Sequence, residues 1–394
     1  MKEKNKVGFF MSKKKEKKKI DLRGYVGMLF FLAIGGFSGW FIGYYLGETA
    51  SDGGLGQTLW SFAVLLLGMY VMLYAQIVIH EAGHLVFGLL TGYRFSLFRI
   101  FSLTFLRDPD SGKLKVRRMQ LAGTGGQCLL VPPEPVDGKI PFALYHLGGV
   151  LMNLIASAVF FVLYLVTASV PLLSLFFLIG VIVGIAYAMM NGIPMRLGAV
   201  DNDGYNLYAQ TRSPHAMEAM RIQLLASEAI SRGMRLREMP SAWFCVPEDA
   251  PLENSMVAVI AVFACNRLMD EGRYDEAEEA IRSLCAKQTG MVGVHRSLLH
   301  CDRLTCLLLR GDRENADALL TKELKSFMRA MKNNPTILRT RYAMARLMDN
   351  DDKGAVTVLE QFDRCAKSHP FPSDIESERD ILAAIDAAAP SEMW

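Results

Sequence analysis

Three ionisable residues, His80, Glu81 and His84, interrupt an apolar run that extends from about Leu59 to Leu90. Each such group in hydrocarbon costs on the order of a few kcal/mol unless it is paired, hydrated or bound to a metal. The order His80-Glu81-Ala82-Gly83-His84 supplies a reason for the cost. Histidines four residues apart on an α-helix project from nearly one face, one turn apart, which suits two imidazoles on a single zinc ion. The glutamate between them lies about 100° round from His80, in reach of a water on that ion without being a ligand. The pattern is that of a metalloprotease, with Glu81 as general base. The competing reading is a polar cluster that only joins helices through hydrogen bonds, but Ser or Asn would do that at lower cost.

A catalytic zinc takes three protein ligands and leaves the fourth position for water. The end of the last apolar run, from Met190 to Gly204, offers two carboxylates, Asp201 and Asp203. Alone, Asp201-Asn202-Asp203-Gly204 has the composition of a turn, but lying opposite the histidine pair makes it a candidate metal site. Asn191 and Pro194 break the helical hydrogen bonding just before it, which is tolerated only where protein or a water-filled cavity receives the freed groups. In the preceding apolar run, Gly148-Gly149 and Asn153 offer close helix approach and one inward polar group, for packing or for catalysis. His146 has no partner at motif spacing and reads as a boundary residue.

These residues need four apolar spans to position them: Tyr25 to Gly47, Thr58 to Leu90, Ile140 to Thr167 and Leu172 to Pro194. Each is long enough to cross a hydrocarbon core of about 30 Å. The net charge of the 394 residues is only +3, but a lysine run, Lys13 to Lys19, precedes the first span. The segment from Tyr93 to Lys139 carries eight Lys and Arg residues, whereas Glu48 to Gln57 has none. By the positive-inside rule both termini are cytoplasmic, and the first and third connections lie outside. The lysine run reads as a topological signal rather than a nucleic-acid contact, so no nucleic acid is expected as a partner.

The expected fold is an all-α polytopic membrane protein with a small membrane-associated β-hairpin, followed by a soluble α-helical repeat domain. The divisions are a basic tail at 1–24, a membrane metalloprotease domain at 25–211 and a cytoplasmic helical domain at 212–394. The hairpin is read from two extended segments, Phe95 to Leu106 and Lys113 to Leu121, around the turn Asp108 to Gly112. Gly123 to Gln127 then lets the backbone pass close to something else, and Gly126 is a candidate substrate contact there. The hairpin could dip into the membrane or offer its edge to an extended peptide. Downstream, Gly272 to Ala277, Gly311 to Ala316 and Asn350 to Ala355 recur 39 residues apart. Each pairs a turn residue with a small Ala at a helix crossing, as in tetratricopeptide-type hairpins that bind peptides or proteins, although a domain that only stabilises itself has the same pattern. The seven cysteines match neither a zinc knuckle nor a redox pair and are expected to be reduced and mostly buried.

Taken in order, the motifs from Thr58 to Asn206 resemble the site-2 protease family of intramembrane zinc metalloproteases. That family has H-E-x-x-H in one membrane helix, a glycine-bearing hairpin, a Gly-x-x-x-Asn element and an Asn-Pro-Asp-Gly element. Here these resemble His80 to His84, Arg94 to Gln127, Gly149 to Asn153, and Asn191 with Pro194 and Asp203-Gly204. The resemblance implies that His80, His84 and Asp203 hold the zinc, that Glu81 activates water, and that Asn191 lies near the substrate carbonyl. Asn153 and Gly126 are carried with Asn191 as substrate-binding candidates. The stretch between Pro194 and the Asp-Gly pair is longer than in the family, with Asp201 intervening; Asp203 is preferred because Gly204 follows it. The implied substrate is a membrane protein or signal peptide. The alternatives are an inactive adaptor that binds membrane segments and works through its repeats, and a metal transporter, for which further intramembrane carboxylates or histidines would be expected.

Overall fold

A computed structural model describes residues 22–107, 112–118, 125–196 and 201–389, with most side chains before residue 54 left out. The lysine run, the turn at 108–111, Gly123-Thr124 and the 197–200 segment lie outside the described residues.

The first helix, α1 (Leu22–Leu90), runs for 69 residues, broken only at Gly54, whose φ of 70° and ψ of −175° are open to glycine alone. The expected connection from Glu48 to Gln57 is therefore helical apart from this break. Among the described residues, three helical stretches are long and apolar enough to cross a bilayer: Gly54–Leu90 of α1, α2 (Phe142–Val166) and α3 (Pro171–Gly192). They match the second to fourth expected spans. Pro171 opens α3, where its missing N–H has no intrahelical partner to lose, and α3 stops two residues before Pro194, which cannot continue it.

The three helices approach closely through small residues. A Cβ placed on Gly83 would lie 2.3 Å from the Gly148 carbonyl oxygen, and one on Gly148 would lie 2.6 Å from that of Gly83. Without a hydrophobic force between helices in lipid, such backbone-to-backbone contact is what holds them and fixes their register. It sets the HEAGH turn of α1 directly against the first turns of α2.

Between α1 and α2 lies a four-stranded antiparallel sheet in the order β3-β2-β1-β4, where the sequence reading expected one hairpin. Its strands are β1 (Arg94–Ile100), β2 (Leu103–Arg107), β3 (Leu114–Arg118) and β4 (Gly126–Val131). The expected first segment is split by a tight turn at Phe101, which takes a positive φ of 52°. The glycine-rich stretch ends in β4, which pairs with β1 through a bulge at Phe95/Leu97. The sheet packs on α1 through β1 and β4, while β3 is the exposed edge.

The remaining helices are α4 (Asp203–Thr211), α5 (Pro214–Ser231), α6 (Ser255–Asp270), α7 (Tyr274–Ala286), α8 (Gly293–Leu309), α9 (Arg313–Leu319), α10 (Lys322–Ala330), α11 (Pro335–Ala343), α12 (Asp352–Ser368) and α13 (Pro372–Ala388). The three recurring segments fall on equivalent turns. Gly272, Gly311 and Asn350 have φ of 72°, 79° and 52°, and Ala277, Ala316 and Ala355 are buried where helices cross. The core there joins Leu304, Leu307, Phe362 and Ile385. Beside it Arg339 is buried against Asp302 and, at 2.8 Å, Glu378 of α13. All seven cysteines are free, and four of them are buried.

Candidate metal centre

On α1, Gln76, His80 and His84 share one face at successive turns, and all three are buried. The orientation of each imidazole can be followed from a backbone carbonyl inward. Gln76 donates through Nε2 to the Gly180 carbonyl at 3.1 Å, so its Oε1 is an acceptor, and Asn153 donates to that oxygen at 2.6 Å and to the Gln76 carbonyl at 3.0 Å. The Oδ1 of Asn153 therefore accepts from His80 Nδ1 at 2.7 Å. His84 Nδ1 donates to the Tyr145 carbonyl at 2.7 Å. Both rings thus carry hydrogen on Nδ1, and both Nε2 atoms turn the other way.

There the two Nε2 atoms face each other at 3.1 Å, with Asp203 Oδ2 at 2.9 Å from His80 Nε2 and 3.3 Å from His84 Nε2. Two nitrogen lone pairs and a carboxylate oxygen converging on one point need a cation among them, either protons or a metal ion. Three donors about 2.0–2.2 Å from one ion in tetrahedral array would lie roughly 3.3–3.6 Å apart. The observed triangle is close to that size, so the donor set fits a metal, and His80, His84 and Asp203 are the residues that could hold it. Burial works against ionising Asp203, but positive charge shared with the facing histidines outweighs it and holds its carboxyl well below the usual range.

Asp203 is the first residue of α4, an acid where the helix dipole favours one. Asn202 caps the helix and fixes this position. Its Oδ1 accepts from the N–H groups of Tyr205 at 2.9 Å and Met195 at 3.0 Å. Its Nδ2 donates to the carbonyls of Met190 and Ile193, both at 2.6 Å, which Pro194 helps leave without helical partners. A Cβ on Gly204 would sit 2.3 Å from the Gly192 carbonyl oxygen, so only glycine lets α4 come this close to α3. Asp201 is directed elsewhere, to Arg196 Nε at 3.2 Å.

Glu81 lies beside the triad, close enough to interact electrostatically with both histidines and with Asp203. Its side chain lies against Gly126, where a Cβ would come within 2.4 Å of its Cγ and Oε1. Buried Arg99 of β1 steadies that backbone by donating to the carbonyls of Gly126 at 3.1 Å and Phe101 at 2.8 Å. Gly149 is as constrained, since a Cβ there would lie 2.5 Å from the His80 ring.

Six of the seven site residues read from the sequence, His80, Glu81, His84, Asp203, Asn153 and Gly126, are thus gathered at one place. Asn191 does not reach the triad by hydrogen bonding: its side chain donates to the Tyr187 carbonyl of its own helix at 3.1 Å. His146, read as a boundary residue, is instead buried and paired with Gln210 of α4 at 2.7 Å. Sequence reasoning missed Gln76, Asn202 and the Tyr145 carbonyl. Gln76 had a signal, a polar residue one turn before His80 in an apolar run, and Asn202 had one as an Asx residue preceding a helix. A backbone carbonyl has none. Comparison with known protein families, curated proteins and solved structures finds no match to this chain.

Proposed function

We propose that the chain is an intramembrane zinc metalloendopeptidase of site-2 protease type, which hydrolyses a peptide bond in or beside a membrane segment of its substrate. The observation that carries this reading is the convergence of two tautomer-locked Nε2 atoms and Asp203 Oδ2, with Glu81 alongside, in a stretch of helix apolar enough to lie in lipid. Two imidazoles and one carboxylate are a catalytic zinc donor set, and His80, His84 and Asp203 would hold the ion. When bound, zinc supplies a Lewis acid that makes water a competent nucleophile near neutral pH.

The chain's own residues do the rest. Glu81 takes the proton from the attacking water and returns it to the leaving amine. Asn153 and the Tyr145 carbonyl keep both imidazoles turned toward the centre. A helical substrate hides its carbonyls in its own hydrogen bonds, so it must unwind before attack. The backbone at Gly126, held beside Glu81 by Arg99, is where an extended substrate would be received.

In this reading the chain has four spans, counting Tyr25 to Gly47, with both termini cytoplasmic. The C-terminal helices form a cytoplasmic tetratricopeptide-like domain that binds a protein or peptide. The test is to compare membrane proteins in cells carrying wild-type chain and Glu81→Gln. Uncut membrane-anchored precursors should accumulate in the variant; an unchanged set would remove the proteolytic reading and favour an adaptor.

A further inference from the structure

The segment that presents Asp203 is held from both sides by one corner of the C-terminal helices. Before the ligand, Arg196 pairs with Asp201 through Nε at 3.2 Å, and its guanidinium carbon lies 5.2 Å from the ring centroid of Tyr205 in α4. The same guanidinium donates through NH2 to the carbonyl of Gly290, in the turn between α7 and α8. After the ligand, Asn254 donates through Nδ2 to the Ala209 carbonyl at 2.7 Å, in the last turn of α4. Gly290 and Asn254 belong to a single corner: Gly290 N–H donates to the Leu252 carbonyl at 2.8 Å, and a Cβ on Gly290 would sit 2.2 Å from the Glu253 carbonyl oxygen.

This arrangement exceeds what joining two domains requires. Asn254 already caps α6 by accepting from Met256 N–H at 3.0 Å, and its remaining donor reaches a different helix. The Asp201 side chain is 5% exposed, and Arg196 is its only described ion-pair partner. Arg196, anchored on Gly290, therefore fixes this acid two residues before Asp203. On its other face α4 meets the membrane helices through Asn202, Gly204 and the His146–Gln210 pair. A nine-residue helix spans about 13 Å. It thus lies between the two halves of the chain with the ligand at one end.

We propose that Arg196 and Asn254 are positioning residues for the metal centre, through which the corner at 252–255 and Gly290 holds both ends of the Asp203 segment. The C-terminal helical domain is then part of the metal site rather than an appended module, and whatever moves the corner at 252–255 and Gly290 moves the third ligand. This rests on the reading of Asp203 as a ligand.

The test uses the full-length chain in lipid nanodiscs, with Arg196→Ala, Asn254→Ser and their combination. Serine keeps the helix cap but is too short to reach Ala209. Zinc affinity is measured by competition with a chromophoric chelator, and visible absorption of the cobalt-loaded chain reports ligand geometry, read beside helical content to separate a moved ligand from general loosening of the helices. Each single variant should lose about tenfold in zinc affinity, the usual scale for residues that orient a ligand, and should weaken the cobalt bands while helical content is retained. Asp380→Asn, which weakens the pairing of exposed Asp380 with buried Arg235 away from this corner, should leave both unchanged. Wild-type affinity and cobalt spectrum in folded Asn254→Ser would overturn the proposal even if Arg196→Ala fails to fold. If the wild type takes up zinc and loses it on Asp203→Ala but not through these variants, the clamp alone fails. If the wild type takes up no zinc, the ligand reading itself fails.

Discussion

Replacing Asn153 with leucine removes one hydrogen-bonding side chain from the interior while leaving its volume almost filled. Asn153 is fully buried, accepts from His80 Nδ1 at 2.7 Å and donates to Gln76 Oε1 at 2.6 Å. Its loss leaves one buried donor and one buried acceptor without partners, each costing about 1–3 kcal/mol, and leucine leaves no room for a replacement water. The His80 ring is then free to rotate or to change tautomer, which takes its Nε2 lone pair out of the triangle. Outer residues that orient a metal-bound histidine are each worth about 10–100-fold in affinity, or about 1.4–2.7 kcal/mol. Zinc competition in nanodiscs should therefore show a loss in that range. Asn153→Ala, which leaves space for a water to bridge His80 and Gln76, should lose less. Affinity of Asn153→Leu within threefold of wild type would refute the claim that this chain of bonds sets the imidazole.

Asp203→Ala should abolish zinc retention during purification and Asp201→Ala should not; metal analysis giving the reverse order would move the third ligand to Asp201. Gly149→Ala drives a methyl into the His80 ring, from 2.5 Å, so zinc affinity should fall by at least about tenfold, and an unchanged value would mean that the helices can part there. Burial lowers the His295 imidazole to about 4 from 6.5. Between those values the unfolded chain binds the extra proton, so stability is fully present above pH 6.5 and falls as pH drops toward 4. The unfolding midpoint of His295→Gln should depend less on pH than that of wild type across this window, and parallel curves would count against the assignment.

Much of this architecture was legible because it rests on cost. His80, Glu81 and His84 could not stand in an apolar run without a reason, and the same logic applies to Gln76, which belonged beside them. Glycines and alanines at helix crossings were legible in the same way: Gly272, Gly311 and Asn350 fall at left-handed turns, and the alanines that follow are buried. The sheet was less so. Strand β4 begins inside the glycine-rich stretch, at Gly126, where there is little side-chain periodicity to read, and the break at Phe101 puts a bulky residue at positive φ, which composition argues against. Asn191 is a substrate contact only through the resemblance, and the orphan carbonyls near Pro194 are satisfied by Asn202 rather than by Asn191. The Tyr145 carbonyl could not be read at all, since its role depends on where α2 passes α1 rather than on what residue 145 is.

The central claim is that one metal and one glutamate together hydrolyse a peptide bond. Purified wild-type and Glu81→Gln chains, assayed side by side for zinc per chain and for cleavage of a membrane-segment substrate in nanodiscs, test it most directly. The account predicts one zinc in each, with cleavage by the variant reduced by about 10²–10⁴-fold, the range for losing a general base. Cleavage by Glu81→Gln at the wild-type rate, or an active wild type that holds no metal, would contradict it.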